Sequence, residues 1–416
     1  MGADEPGGGG WPPDAVRKGG GPVETKRPGL GPILLTVFLD LLGFGLVIPL
    51  MGFYAEQFSA SPGQVTALMA AYSIAQFLFA PVWGAVSDRY GRRPVLIGSI
   101  GASVLFLGLF AMAQSYAALV VLRALHGVCA ANIGTAQAYV ADVTEGKDRA
   151  KGMGLIGAAF GVGFTVGPMV GGLLSGISLS APIWLAAGLA LINLVWVVAR
   201  LPESRRAGEA SAAHARSIDP RALLHGLAHP VVGLCLLLTF VATFSFAMME
   251  STFQLVAEHV WGKGPRDVGY LFGVIGVVGI VIQGGLIRRL VPRFGEQRLI
   301  TLGYAVNAAG MWRLAAAPAG PLVWLGCAVM AVGTSLANPS LQSLISRSAG
   351  EDEQGVVLGT NQSFSALARA LAPLAGGVAY EQVGPLAPLM VGGALMWAAM
   401  ALSVPAGRRA ELPRGA

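Results

Sequence analysis

Charge is scarce in this chain. Of its 416 residues, 28 are Lys or Arg and 22 are Asp or Glu, 12% in all, against 54% hydrophobic. Soluble domains carry roughly twice that charged share, so the composition excludes an ordinary set of soluble domains. Cysteine is scarcer still. Cys129, Cys235 and Cys327 fall inside apolar runs with no paired spacing, which excludes a disulfide framework and a thiolate metal cluster; they read as small buried side chains. The loops hold no nucleotide-binding P-loop, no metal-ligand cluster and no nucleophile–base spacing. No enzyme activity, cofactor or metal is therefore expected, and ATP is not the evident energy source. The net charge of +6 is spread over short loops and is no nucleic-acid footprint. Residues 1–29 are Gly/Pro-rich and lack an apolar core, so they read as a disordered tail, not a cleavable signal peptide.

What the chain has instead is long apolar runs and 59 glycines. Glycine at this density suits helices that approach one another closely in lipid. A spanning helix needs about 20 apolar residues, and twelve such runs can be placed. The first six cover 31–55, 64–87, 95–113, 116–142, 152–175 and 182–200; the second six cover 230–257, 267–290, 298–318, 321–346, 354–380 and 385–405. The expected fold is all-α and integral to the membrane. Two six-helix bundles, 30–200 and 230–405, are joined by a polar linker, 201–229, that holds Arg205, Arg206, Arg216 and Arg221 and is expected to form a short surface helix from Pro220 to His229. A C-terminal tail follows at 406–416. Of the 28 basic residues, 23 fall on one side of this arrangement. Both termini are then expected to be cytoplasmic by the positive-inside rule.

The two halves repeat. Ala55-Glu56 ends the first helix and Ala257-Glu258 ends the seventh. Pro168-x-x-Gly171-Gly172 recurs as Pro373-x-x-Gly376-Gly377, and the stretch from Gly84 to Arg93 has a worn copy running from Gly284 to Gly295. Parallel repeats of this kind place a binding site between the halves near the bilayer midplane.

Between the second and third helices the chain reads Gly84-Ala-Val-Ser-Asp88-Arg89-Tyr-Gly91-Arg92-Arg93-Pro94. Asp88 and Arg92 are four apart and can neutralise each other, while Gly91 lets the backbone reverse. This stretch resembles the loop between helices 2 and 3 of the major facilitator superfamily. Helix 4 carries Leu122-Arg123-x-x-His126-Gly127-x-x-Ala130-Ala131, similar to the superfamily's second motif, with His126 in place of a common glutamine. Helix 5 carries Gly154-x8-Gly163-x3-Gly167-Pro168-x2-Gly171-Gly172, which looks like the antiporter motif of exporters. Leu42-Gly43-x5-Pro49 is similar to a motif of the twelve-helix drug/proton antiporters, departing from it at Gly52, where a second proline is usual. Phe38-x-Asp40-x-x-Gly43-x-Gly45 and Tyr139-Val-Ala-Asp142 look most like the tetracycline-efflux group. The resemblance implies the major facilitator fold with two pseudo-symmetric bundles, alternating access, and export driven by the proton gradient. It also implies that Arg123 packs against helix 1 near Gly43 and helps relay protonation there.

Physical chemistry singles out the same region. Asp40 lies about a third of the way across helix 1, where a carboxylate costs roughly 2.5–3.5 kcal/mol on insertion scales. In low dielectric a carboxyl group favours its neutral form. Asp40 could thus load a proton on one side and release it on the other, or serve as a cationic-drug site, or be a structural acid. Glu250 in helix 7 is the second deep acid, with Arg369 and Arg123 as candidate partners. His126, one turn from Arg123, is a weaker proton-handling candidate. Cavity candidates on the first bundle are Asn132, Gln137, Phe160 and Phe164. On the second they are Gln254, Gln283, Asn338, Gln342, Asn361 and Gln362. The glycines at 154, 163, 167 and 171 are expected to form a flat stripe for a neighbouring helix, with Pro168 permitting a bend. Asp88 is expected to cap the start of helix 11 near Gln354 and Gly355, and Arg92 to reach Asp142, latching the cytoplasmic side; the second copy has Arg288 in place of Asp88.

The expected function is proton-coupled efflux of small amphipathic compounds from the bacterial inner membrane by a monomer with no nucleic-acid partner. A sugar or metabolite transporter is the alternative. A membrane sensor or scaffold would leave the costly intramembrane charges without purpose.

Overall fold

The computed structural model describes residues 30–144, 146–204, 232–316, 320–348 and 354–410. The tail at 1–29, nearly all of the linker including its expected surface helix, and residues 411–416 lie outside this set. Among the described residues the regular structure is helical throughout. It comprises α1 (Gly31–Glu56), α2 (Pro62–Tyr90), α3 (Arg92–Ala111), α4 (Tyr116–Val143), α5 (Gly146–Leu174), α6 (Ala181–Arg200), α7 (Val232–His259), α8 (Pro265–Phe294), α9 (Glu296–Ala315), α10 (Pro321–Ser348), α11 (Gln354–Gln382) and α12 (Ala387–Ala410). Ten are long and apolar enough to cross a membrane. The other two, α9 and α11, are diluted by polar residues such as Gln297, Asn307, Asn361 and Arg369.

Local sequence explains where these helices start and bend. Pro62, Pro182 and Pro265 occupy first turns, where the missing N–H has no intrahelical partner to lose. Ser61 and Gln64 form a reciprocal capping box at the start of α2. Pro49 sits in the tightened turn Ile48–Leu50 that kinks α1. α2 meets α3 through the single residue Gly91, at φ 101°, and α8 meets α9 through Gly295, at φ 75°. The same left-handed hinge therefore serves both repeats, and the turn is tighter than the boundaries expected from hydropathy.

Two helices depart from the continuous spans read from the sequence. α4 breaks after Val128 and resumes at Asn132. α8 widens to a π-type turn over Ile282–Leu286, where Gln283-Gly284-Gly285 offers little packing to hold the regular spacing. Hydropathy sees neither break, because both lie inside apolar runs.

Within the first half α1 packs on α5 and α6, α3 on α6, and α2 on α4; within the second, α7 packs on α11 and α12, and α9 on α10 and α12. The halves meet chiefly through α2 against α11 and α5 against α8. These contacts gather at the end of the molecule opposite the termini. A side chain at Gly172 would meet Gly269, one at Gly273 would meet Met169, and one at Gly63 would meet Glu381. Toward the end bearing the termini the same helices part. A Cβ at Gly84, Gly154, Gly157, Gly161, Gly284, Gly285 or Gly359 would find nothing within 4 Å among the described residues. The cleft between the halves thus opens on the terminal face and is sealed on the opposite one.

Candidate functional site

The break in α4 builds the site in the first half. Interrupted backbone at membrane depth must find partners nearby. Ser99 of α3 supplies two: its hydroxyl donates to Cys129 O at 2.6 Å and accepts from Ala131 N at 2.9 Å. Trp83 Nε1 donates to Val128 O at 2.5 Å. The restart puts Asn132 at the first position of the second α4 segment, and its amide nitrogen donates to Asp40 Oδ1 at 2.6 Å. Ser99→Ala would remove both of these bonds and leave the break held by the short Ala131 N to Cys129 O contact at 2.9 Å, a loss of about 0.5–1.5 kcal/mol for each bond. The variant is expected to melt several degrees lower in detergent and to lose transport as Asn132 drifts from Asp40; an unchanged melting curve would show that the break needs no staple.

Arg123 lies deep on the first α4 segment, buried and 4.2 Å from the centre of the Tyr72 ring on α2. Its charge is thus held on an aromatic face and, among the described residues, by no carboxylate. Tyr72 also meets the His126 ring edge-on at 5.3 Å, and His126 Nε2 lies 3.1 Å from Ser103 Oγ. Asp40, Gly43, Tyr72, Arg123, His126 and Asn132 line one cavity of about 40 Å³. A larger cavity of about 400 Å³ at α5, α8 and α10 is lined by Met169, Val274, Val277 and Trp324 and contains none of these groups.

In the second half Glu250 on α7 and Arg369 on α11 interact electrostatically, and the field of Arg369 reaches across the cleft to Tyr72. Arg369 is exposed although it lies in the middle of its helix, as a cleft-lining cation would be. Gln283, Asn338, Gln342 and Gln362 are exposed; Asn361 is buried and donates to Gln342 Oε1 at 3.5 Å. Gln137 is partly buried on α4, and Phe164 packs on Phe44 at 5.8 Å. The side chain of Phe160 lies outside the described residues. Gln254 departs from the cavity expectation. It is buried in the seal on the far face, its amide nitrogen 2.8 Å from Pro49 O and its oxygen 3.2 Å from Gly52 N.

The helix 5 glycines divide by partner. Those at 163, 167 and 171 lie against α1, where an added Cβ would come within 3.0 Å of backbone atoms of Leu41, Gly45 and Leu46. Gly172 and Pro168 lie against Gly269 of α8 instead. Among the described residues Gly154 meets nothing, unlike the three that face α1.

On the terminal face Arg92 is the centre of a charged cluster. Its guanidinium reaches Asp88 at 2.6 Å, Asp142 at 3.1 Å and Ser87 Oγ at 2.6 Å. Sequence reasoning missed Glu203, just past α6, which caps α3 by accepting from the Arg92 and Arg93 amides at 2.9 and 3.1 Å. Arg93 donates to Val198 O, Arg89 lies over Tyr90, and Ser204 donates to Asp142 at 3.1 Å. The cluster therefore ties together α2, α3, α4 and the start of the linker inside one half. The expected contact of Asp88 with Gln354 and Gly355 falls on side chains outside the described residues. In the second half Arg347 pairs with Glu296 at 2.7 Å. Tyr72, Ser99, Trp83 and Glu203 carry no motif signal, since each is defined by a partner distant in the chain.

The family model of the Major Facilitator Superfamily matches residues 33–373. Multidrug resistance protein 2 of Bacillus subtilis is 31% identical over 354 residues, covering 84% of this chain and 88% of that protein. Tetracycline resistance protein, class C, of Escherichia coli is 32% identical over 348 residues, covering 82% of this chain and 87% of that protein. The crystal structure of the human organic anion transporter MFSD10 (TETRAN) superposes with a TM-score of 0.69 at 27% identity, covering 90% of this chain and 98% of that one.

Proposed function

The chain belongs to the Major Facilitator Superfamily, and on that premise we propose that it couples proton entry to the export of small amphipathic compounds of the tetracycline and multidrug kind. It is a multi-pass membrane transporter and not an enzyme. In the proposed cycle the bundles 30–200 and 230–405 rock about the cleft, and the monomer sits in a bacterial inner membrane with both termini in the cytoplasm. The terminal face, where the cleft opens, is then cytoplasmic, which is where an exporter collects cargo.

The observation that carries this reading is Asp40. Its carboxylate is held by the Asn132 amide, and among the described residues no Lys or Arg pairs with it. A carboxyl group so placed can exchange a proton without breaking an ion pair. Arg123, seated on Tyr72, lines the same cavity, and Glu250 with Arg369 supplies a second titratable pair across the cleft. The test is purified protein in liposomes with an imposed acid gradient and tetracycline or a cationic dye as cargo. Uphill movement that an uncoupler abolishes is expected; no movement, or movement indifferent to the gradient, would overturn the reading.

A second reading has support of its own. Two guanidinium groups, Arg123 and Arg369, face the cleft region, one without a carboxylate partner and one exposed. That charge would suit an organic anion, the cargo named for the human relative. Competition between tetracycline and a small organic carboxylate in the same vesicles separates the two: displacement by the carboxylate alone would favour the anion.

A further inference from the structure

The Ala55-Glu56 and Ala257-Glu258 pairs that end the first helix of each repeat have no part in the site above. The structure brings them together across the seam. A carboxylate oxygen of Glu56, one of Glu258 and a ring nitrogen of His259 all lie within 4.8 Å of one another, at the sealed face. His259 Nε2 is 3.5 Å from Glu56 Oε1, and its Nδ1 is 2.8 Å from the hydroxyl of Tyr380 on α11. One imidazole thus touches α1 of the first half and α11 of the second. Beside it Glu381 crosses the seam in the other direction, accepting from Ser61 Oγ at 3.0 Å and Gly63 N at 2.7 Å at the start of α2.

The charge balance at this seam is unfavourable without a proton. From α1 the trio faces Glu56, from α7 Glu258 and His259, and from α11 Tyr380 and Glu381. Of the neighbouring cations, Arg266, next to Asp267 at the start of α8, donates to Tyr270, and among the described residues neither Arg266 nor Lys263 forms an ion pair with the trio. Among the described residues no Lys or Arg bridges Glu56 or Glu258. Two carboxylates this close resist being ionised together, so the trio favours holding a proton.

We propose that Glu56, Glu258 and His259 form a proton-operated latch, which holds the halves together on the face opposite the termini when it carries a proton and lets them part when it does not. Opening separates Glu56 from the α7 pair, so the repulsion that favoured the proton disappears and the proton leaves to water. By linkage, acid on that face favours closure. The purpose of the latch rests on the proton-coupled reading above: acid outside would return the empty carrier to its cargo-collecting state. The conformational claim does not depend on transport.

The test is double electron–electron resonance on the full-length protein in lipid nanodiscs. Spin labels are introduced through noncanonical amino acids at Gln57 and Val383, both exposed on opposite sides of the seam. Between about pH 5.5 and about pH 8.5, bracketing the ordinary histidine range, the ratio of closed to open populations is expected to fall about tenfold or more, the change that one unit of differential proton affinity carries. The double variant Glu56→Gln/Glu258→Gln, which mimics the neutral acids, is expected to stay closed at both values. The latch is overturned if the double variant keeps the parental pH response or if a metal chelator opens the seam at acid pH. Failure of vesicle transport with these distances unchanged would sink the exporter reading and leave the latch standing.

Discussion

Asp40→Asn is expected to stop uphill efflux while leaving the protein folded. Asparagine keeps the size of the side chain and an oxygen that can still accept the Asn132 bond of 2.6 Å. What it removes is the exchangeable proton. Drug accumulation against a gradient is expected to fall by about 5- to 150-fold, the range spanned by coupling energies of about 1–3 kcal/mol. Exchange of labelled for unlabelled drug at equal concentrations requires no net proton movement and is expected to persist. The pH profile carries the decision: the parent's uphill rate rises with the imposed acid gradient, and the variant's is flat. If Asp40→Asn pumps with the parental pH dependence, the carboxylate is structural and Glu250 becomes the group to examine. The same comparison in Asn132→Ala, where the acid remains and its donor is gone, is expected to shift the profile without flattening it.

The fold was legible because membrane insertion writes itself into composition. A helix must carry about 20 apolar residues to cross, and that length requirement marked twelve segments to within a few residues. Asp40 and Glu250 stand out in the sequence for the converse reason, since an acid inside an apolar run is costly and calls for a partner, a wet cavity or a proton. What the chain could not reveal is pairing. Ser99 matters because it is folded against Cys129 and Ala131, and Tyr72 because Arg123 lies on its ring. Gln254, read as a cavity residue from its polarity and depth, instead crosses the seal to Pro49 and Gly52. Polarity reports that a buried residue needs a partner and says nothing of which helix provides it. The repeat was the strongest indirect signal: the two Ala-Glu pairs, unexplained as sequence, converge in space because duplication places equivalent helix ends on either side of one axis.

Gly167→Leu is expected to be among the most damaging single changes outside the ionisable groups, and a second glycine of the same motif provides its control. At Gly167 an added Cβ would lie 2.7 Å from Gly45 C and 2.9 Å from Leu46 N. Both obstacles are backbone, so no rotamer change relieves them, and α1 and α5 must move apart. Overpacking of this kind costs about 1–3 kcal/mol, occasionally more. The displacement acts on the α1 segment between Asp40 and the kink at Pro49, so transport is expected to fail along with stability. Gly154, thirteen residues earlier in the same helix, meets nothing within 4 Å among the described residues, and Gly154→Ala is expected to preserve transport. Glycine in a helix interior is about 1 kcal/mol less favourable than alanine, so a small rise in melting temperature is the sign expected there. The contrast separates two explanations of the motif. If its glycines serve close packing, damage follows contact distance and falls on the residues facing α1 and α8. If they serve helix flexibility, Gly154→Ala, in the segment that lines the open side of the cleft, should impair transport without lowering stability, and that result would reassign the motif from packing to motion.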